Sequence, residues 1–132
     1  MALQYSVPVN NARLDTVESV TGTSAKLRIY TGVPPVNCAA ASSGTLLTDI
    51  ALPSDWMSGA VAGVKSKLGT WSGVGIAAGV AGHFRITDTA GTTAHMQGTC
   101  GQGSGDMSLD NTNIAVSQVI AVNSFSLTSA NI

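Results

Sequence analysis

His83-Phe-Arg-Ile-Thr87, Asp88-Thr-Ala-Gly91 and Thr92-Thr-Ala-His-Met-Gln-Gly-Thr99 decide the fold. Phe84 and Ile86 alternate with His83, Arg85 and Thr87, a period of two that turns the apolar pair to one face of a strand. Asp88 to Gly91 has turn chemistry and ends on glycine. Thr92 to Thr99 then returns, with Ala94 and Met96 inward and Thr93, His95 and Gln97 outward. Antiparallel pairing across this turn places His83 and His95 on one outer face.

Working outward, the same pattern repeats. Lys26-Leu-Arg-Ile-Tyr30 alternates, with Leu27 and Ile29 inward. Gly32-Val-Pro-Pro35 cannot enter a central strand, because proline has no N–H to donate. Val33 to Gly44 is therefore expected to be a long loop. Thr45 to Leu52 reads as a strand stopped by Pro53. Trp56 to Leu68 reads as one strand with glycine bends, and Thr70 to Ile76 as another. Gly101 to Gly105 is a flexible loop, and Asp106 to Leu109 a short strand ended by Asp110-Asn111. Ile114 to Leu127 alternates over a long span, bent near Asn123, with Phe125 and Leu127 closing the core. About eight short strands with glycine-rich turns argue for an all-β, antiparallel β-sandwich or barrel. No βαβ alternation points to a nucleotide-binding sheet.

The exception is near the N-terminus. Leu14, Val17 and Val20 share a helical face over Asn11 to Val20, with Asn10 or Asn11 as cap and Thr21-Gly22 as stop. So short a helix is marginal alone, and Leu14 and Val17 must dock on the domain or on a partner. The expected division is an N-terminal arm over residues 1–24 and a β-domain over 25–132. Met1 to Asn10 has no charged n-region or continuous apolar core and does not read as a signal peptide, so the chain is expected to be made and kept in a cytoplasm.

Composition narrows the function. The 132 residues are 44% hydrophobic but only 10% charged, and net charge is −1. About a quarter charged is usual. Without a basic run there is no phosphate-binding footprint for nucleic acid. Leu68 to His83 is uncharged but repeatedly interrupted by glycine, so no membrane span is expected. Weak charge suits either a secreted or merely low-charge domain or a protein packed against others.

Groups for catalysis are sparse. The one glutamate, Glu18, sits on the short helix. Paired-carboxylate chemistry would draw on Asp49, Asp55, Asp88, Asp106 and Asp110, several of them in turns where aspartate bonds its own backbone. His83 and His95 alone make neither a triad nor a closed metal site. The glycines from Gly73 to Gly79 and from Gly101 to Gly105 match no phosphate-loop spacing. Cys38 and Cys100 read as two small buried or half-buried thiols, bonded only if the chain meets an oxidising compartment. Trp56 and Trp71 either fill the core or, if exposed, stack on sugar. No enzyme, cofactor or metal is expected. Leu14, Val17, Trp56 and Trp71 are the candidate partner contacts.

The stretches Leu27-Arg-Ile-Tyr-Thr-Gly32, Asn37-Cys-Ala-Ala-Ala-Ser-Ser-Gly44, Leu52-Pro-Ser-Asp-Trp-Met57, Ala81-Gly-His-Phe-Arg-Ile86 and Asp110-Asn-Thr112 resemble a family of small structural proteins of tailed bacteriophages. In size and character the chain is most similar to the capsid cement, or decoration, proteins of short-tailed phages. That resemblance implies a jelly roll that clamps neighbouring major capsid proteins on the virion surface, assembled in the host cytoplasm. It implies a dimer; low charge itself leads to the expectation of a homodimer or homotrimer, and composition to that of no nucleic-acid or membrane partner. A tail or tail-fibre component shares this composition, and a carbohydrate-binding host-adhesion module is the alternative from another class.

Overall fold

The computed structural model describes residues 3–129. One helix, α1 (Val7–Thr21), precedes nine strands: β1 (Lys26–Thr31), β2 (Leu46–Ala51), β3 (Val64–Ser66), β4 (Ser72–Val74), β5 (Gly79–Thr87), β6 (Ala94–Gly101), β7 (Met107–Leu109), β8 (Asn113–Ile114) and β9 (Val119–Thr128). They form one sheet in the order β2-β1-β5-β6-β7-β9-β3, with β4 also on β9 and β8 also on β5. The fold is all-β, of sandwich-like and jelly-roll-like character. Every strand pairing is antiparallel except β6 with β7, where Cys100 meets Met107 in parallel. No helix among the described residues is long and apolar enough to cross a membrane.

The central hairpin forms as its alternation predicts. Phe84 pairs with Gly98 and Ile86 with Met96, and both Phe84 and Ile86 are buried. Its turn is held from both sides. The Gly91 N–H donates to the Asp88 carbonyl at 3.0 Å, and Asp88 Oδ1 accepts from the Thr92 N–H at 2.8 Å. Gly91 has φ 74°, a left-handed conformation that glycine adopts without a Cβ clash. A bulge between Ile86 and Thr87 changes the outcome for the histidines. His83 lies opposite Thr99, and Thr87 opposite Ala94, so His95 falls out of register.

The sheet curls until its ends meet. β4 pairs with β9, and on its other side Thr48 Oγ1 donates to the Val74 carbonyl at 2.8 Å while the Ile76 N–H donates to the Leu47 carbonyl at 2.7 Å. Gly73 permits this approach: a Cβ there would stand 2.7 Å from Ile50 Cγ1. Inside the curl, Trp56 and Trp71 lie 6.0 Å apart, Trp71 and Phe125 5.7 Å, and Phe84 and Phe125 5.5 Å, centre to centre. These are ordinary aromatic packing distances. Leu27, Ile29, Leu47, Ile50, Leu109 and Ile120 fill the space around them.

Three boundaries differ from the sequence reading. α1 starts earlier, because Ser6 rather than Asn10 or Asn11 is the cap: its hydroxyl accepts from the Val9 N–H at 3.3 Å, and Pro8 sits in the first turn, where its missing N–H costs nothing. The expected strand Trp56 to Leu68 is a hairpin doubled back on itself, in which Met57 bridges Lys67 and Val61 bridges Val64, and only Val64–Ser66 counts as strand. The expected strand Ile114 to Leu127 is broken by a turn in which the Gln118 N–H donates to the Ala115 carbonyl and Ser117 takes φ 67°. Asn123, the expected bend, lies inside β9.

Candidate interaction surface

Trp56 and Trp71 are 0% and 1% exposed, so neither ring offers a face to sugar or to a partner. Their N–H groups are also engaged, Trp56 with the Gly22 carbonyl at 3.0 Å and Trp71 with the Trp56 and Leu68 carbonyls at 3.2 Å. Of the expected helix contacts, Leu14 is buried and Val17 half-buried. Val17 lines a shallow groove with Arg13, Val20 and His95.

The helix is tied to the β-domain by polar bonds rather than by a broad apolar stripe. Asn11 Oδ1 accepts from the Gly63 N–H at 2.9 Å, Asp15 Oδ1 from the Ala60 N–H at 3.0 Å, and Glu18 Oε2 from the Met57 N–H at 3.1 Å. Under it lies Lys65, 1% exposed, its Nζ 2.8 Å from Asp15 Oδ1 and 3.0 Å from Glu18 Oε1. Burial works to lower the Lys65 pKa, but the hydrogen bonds to Asp15 and Glu18 outweigh it and hold it above the ordinary value. The same bond to Lys65, helped by the Ala60 N–H, holds the Asp15 carboxyl below its usual range. Asp55 goes the other way. Its hydrogen bond with Glu18, then desolvation and the Glu18 charge, raise its pKa. These groups rim a cavity of about 570 Å³ between α1, Ser54 and Met57.

The sequence reading does not single out Asp15 or Lys65. Asp15 and Glu18 are three apart and so share one helix face. Lys65 sits at an inward strand position, where a lysine needs an acid within reach. Those two signals are what a reading of the sequence has available, and the cluster serves to dock the helix.

The other titratable groups are separated. His83 is buried, stacked on Tyr30 with ring centres 5.1 Å apart, and its Nδ1 lies 3.0 Å from the Gly32 carbonyl. His95 is on the helix groove, so the structure does not bring the histidines together on one face. Asp49 pairs with Arg28 at 3.3 Å; Asp88 holds its own turn; Asp106 accepts from the Thr99 N–H and hydroxyl; Asp110 accepts from the Ala121 N–H. Backbone and side-chain bonds from Thr92 hold the Asp88 carboxyl below its usual range. Cys38 and Cys100 are unbonded thiols, and burial pushes Cys100 up to about 12. No group of three or more metal-ligating side chains occurs among the described residues.

Several exposed aliphatic side chains lie on β4, β9 and their adjoining loops, while others, such as Val33, Val36 and Val61, are exposed elsewhere. Val74 and Val119 are register partners on β4 and β9, 52% and 64% exposed. Ile76 and Val116 follow in the adjoining loops at 54% and 62%. These loops are pinned together, since the Gly75 N–H donates to the Gln118 carbonyl and the Ser117 N–H to the Gly75 carbonyl, both at 2.8 Å. Val80, at the start of β5 beside β8, is 58% exposed. Scattered aliphatics are normal on a surface; these are held in place by the paired loops.

No family model, no curated protein and no solved structure matches this chain.

Proposed function

We propose that the chain is a structural protein of a bacteriophage virion, a cement protein that docks on neighbouring major capsid subunits as a homodimer or homotrimer. The observation that carries the reading is the aliphatic end formed by Val74, Ile76, Val116 and Val119. Backbone hydrogen bonds hold it in place, so burying it costs little ordering entropy. The weakly charged surface adds to this, because Ser, Thr and backbone amides are cheaper to desolvate than ionised groups. Many such contacts on one shell reinforce one another, so each need be only modest. The stretches that resemble phage structural proteins point the same way.

Copy number and heat tests decide it. Particles carrying the protein are expected to hold hundreds of copies, and stripping it is expected to lower their melting temperature. A few to a few dozen copies would instead make it a tail component. Unchanged melting of stripped particles would end the cement reading.

A further inference from the structure

Arg28 on β1 and Arg85 on β5 are direct cross-strand partners. Like charges in that position repel unless something between them is negative. Asp49, the neighbour of Arg28 on β2, meets Arg28 Nε at 3.3 Å. Arg28 also donates to the Gly91 carbonyl at 3.2 Å. Arg85 forms no ion pair among the described residues.

Arg85 is nevertheless 97% buried, since only 3% of it is exposed. It faces the loop of residues 33–44 rather than the aromatic core. Its Nη1 donates to Ser42 Oγ at 2.9 Å, and its Nη2 donates to the carbonyls of Cys38 at 2.6 Å and Ala40 at 3.0 Å. Its Nε has no hydrogen-bond partner among the described residues. A guanidinium out of water and without a carboxylate is costly to keep. Neutral acceptors satisfy its donors in part, but they do not cancel its charge.

Both arginines line one cavity of about 280 Å³. The hydroxyl-bearing Ser42, Thr87, Thr92 and Thr93 line it too. Ala39, Ala41 and Ser42 at the loop are exposed, so the cavity opens to solvent. Thr87 and Thr92 already donate their hydroxyl hydrogens to the Asp88 carbonyl and carboxylate, so two guanidiniums and the hydroxyls of Ser42 and Thr93 remain as donors of the kind that an oxyanion needs.

The geometry points to an oxyanion-binding site between Arg28 and Arg85, for a small carboxylate or phosphate. The bound anion neutralises the second arginine and bonds the loop of residues 33–44 to the sheet. This site lies away from the aliphatic end and does not depend on the docking role of that surface.

The test uses the full chain and measures melting temperature at constant ionic strength, with chloride replaced stepwise by inorganic phosphate or by acetate. One of the two is expected to give a rise that follows the logarithm of one plus the ratio of anion concentration to Kd, roughly 5 °C at ten times its Kd. The identity of the active anion separates a phosphate site from a carboxylate site. Arg28→Gln is expected to abolish the rise and Arg28→Lys to retain part of it, Arg28 being partly exposed and so replaceable without unfolding. In parallel, the Arg85 Nε–H resonance is expected to shift along a saturable curve with the same Kd. Melting that follows ionic strength alone in every anion, or a rise undiminished in Arg28→Gln, would overturn the site.

Discussion

Lys65 Nζ lies 2.8 Å from Asp15 Oδ1, in a contact that joins the middle of α1 to the short strand β3. The ammonium is 1% exposed while the Asp15 side chain is 49% exposed, so the two partners are unequal. Removing the acids strands a buried charge, whereas removing the lysine leaves acids that water can reach. Asp15→Asn combined with Glu18→Gln is therefore expected to cost about 3 kcal/mol, the lower end for breaking a buried pair, because water reaches both acids. Lys65→Met is expected to cost less. Urea unfolding of the variants checks the order.

Acid affects the two ends of this cluster with opposite sign. The Asp15 pKa is lowered in the folded chain, so its stabilisation is full above the ordinary value of 3.8 and is lost as pH falls through the folded value. The Asp55 pKa is raised, so its contribution is full below 3.8 and is lost as pH rises through the folded value. Asp55→Asn is then expected to raise the melting temperature at pH 7, where the wild type sets two carboxylates together, and to make little difference at pH 3. Melting curves at both values test this, and an Asn that destabilises at pH 7 contradicts it.

Cys100 is expected to resist alkylation in the native state. Its thiol is largely buried and pushed up to about 12, so almost no thiolate exists at pH 8. Timed labelling with iodoacetamide, followed by mass spectrometry, should show Cys100 modified only after unfolding, and no bond between it and Cys38.

The hairpin was legible because Phe84 and Ile86 alternate cleanly and Asp88 and Gly91 mark the turn. What the letters hid depends on contacts distant in sequence. The position of His95 turns on one bulge, which no alternation announces. The split between β8 and β9 turns on Ser117 in a left-handed conformation, where no glycine marks the break. Trp56 and Trp71 were open between core and surface, because a tryptophan pattern is the same in both. The Lys65 cluster needs a helix residue to meet a strand fifty positions on. The partnership of Arg28 with Arg85 needs the register of β1 on β5, which sequence spacing does not reveal.

Gly82→Ala is expected to be among the more damaging small substitutions. A Cβ at this position would stand 2.2 Å from the Gly32 carbonyl oxygen and 2.7 Å from the Gly32 nitrogen. Both are backbone atoms, so relief requires moving the chain where β1 passes into the loop of residues 33–44. About 2–3 kcal/mol is the expected loss, at the upper end for overpacking. Gly59→Ala, where a Cβ meets nothing within 4 Å, is the control and should change stability little.

Attachment through the aliphatic end should respond weakly to salt. Val74, Ile76, Val116 and Val119 carry no charge, and burial of apolar surface is not screened by ions. Val119→Lys or Ile76→Asp is expected to weaken attachment at least tenfold. Each is expected to leave the isolated chain within about 0.5 kcal/mol of wild-type stability, since these side chains are already exposed. Binding of the purified protein to stripped particles, at 50 mM and 500 mM sodium chloride, gives the comparison. Equal affinity at both concentrations, lost in the two variants, is the expected result. Attachment that falls steeply with salt and survives Val119→Lys would move the contact away from this end, toward a charged surface of the chain.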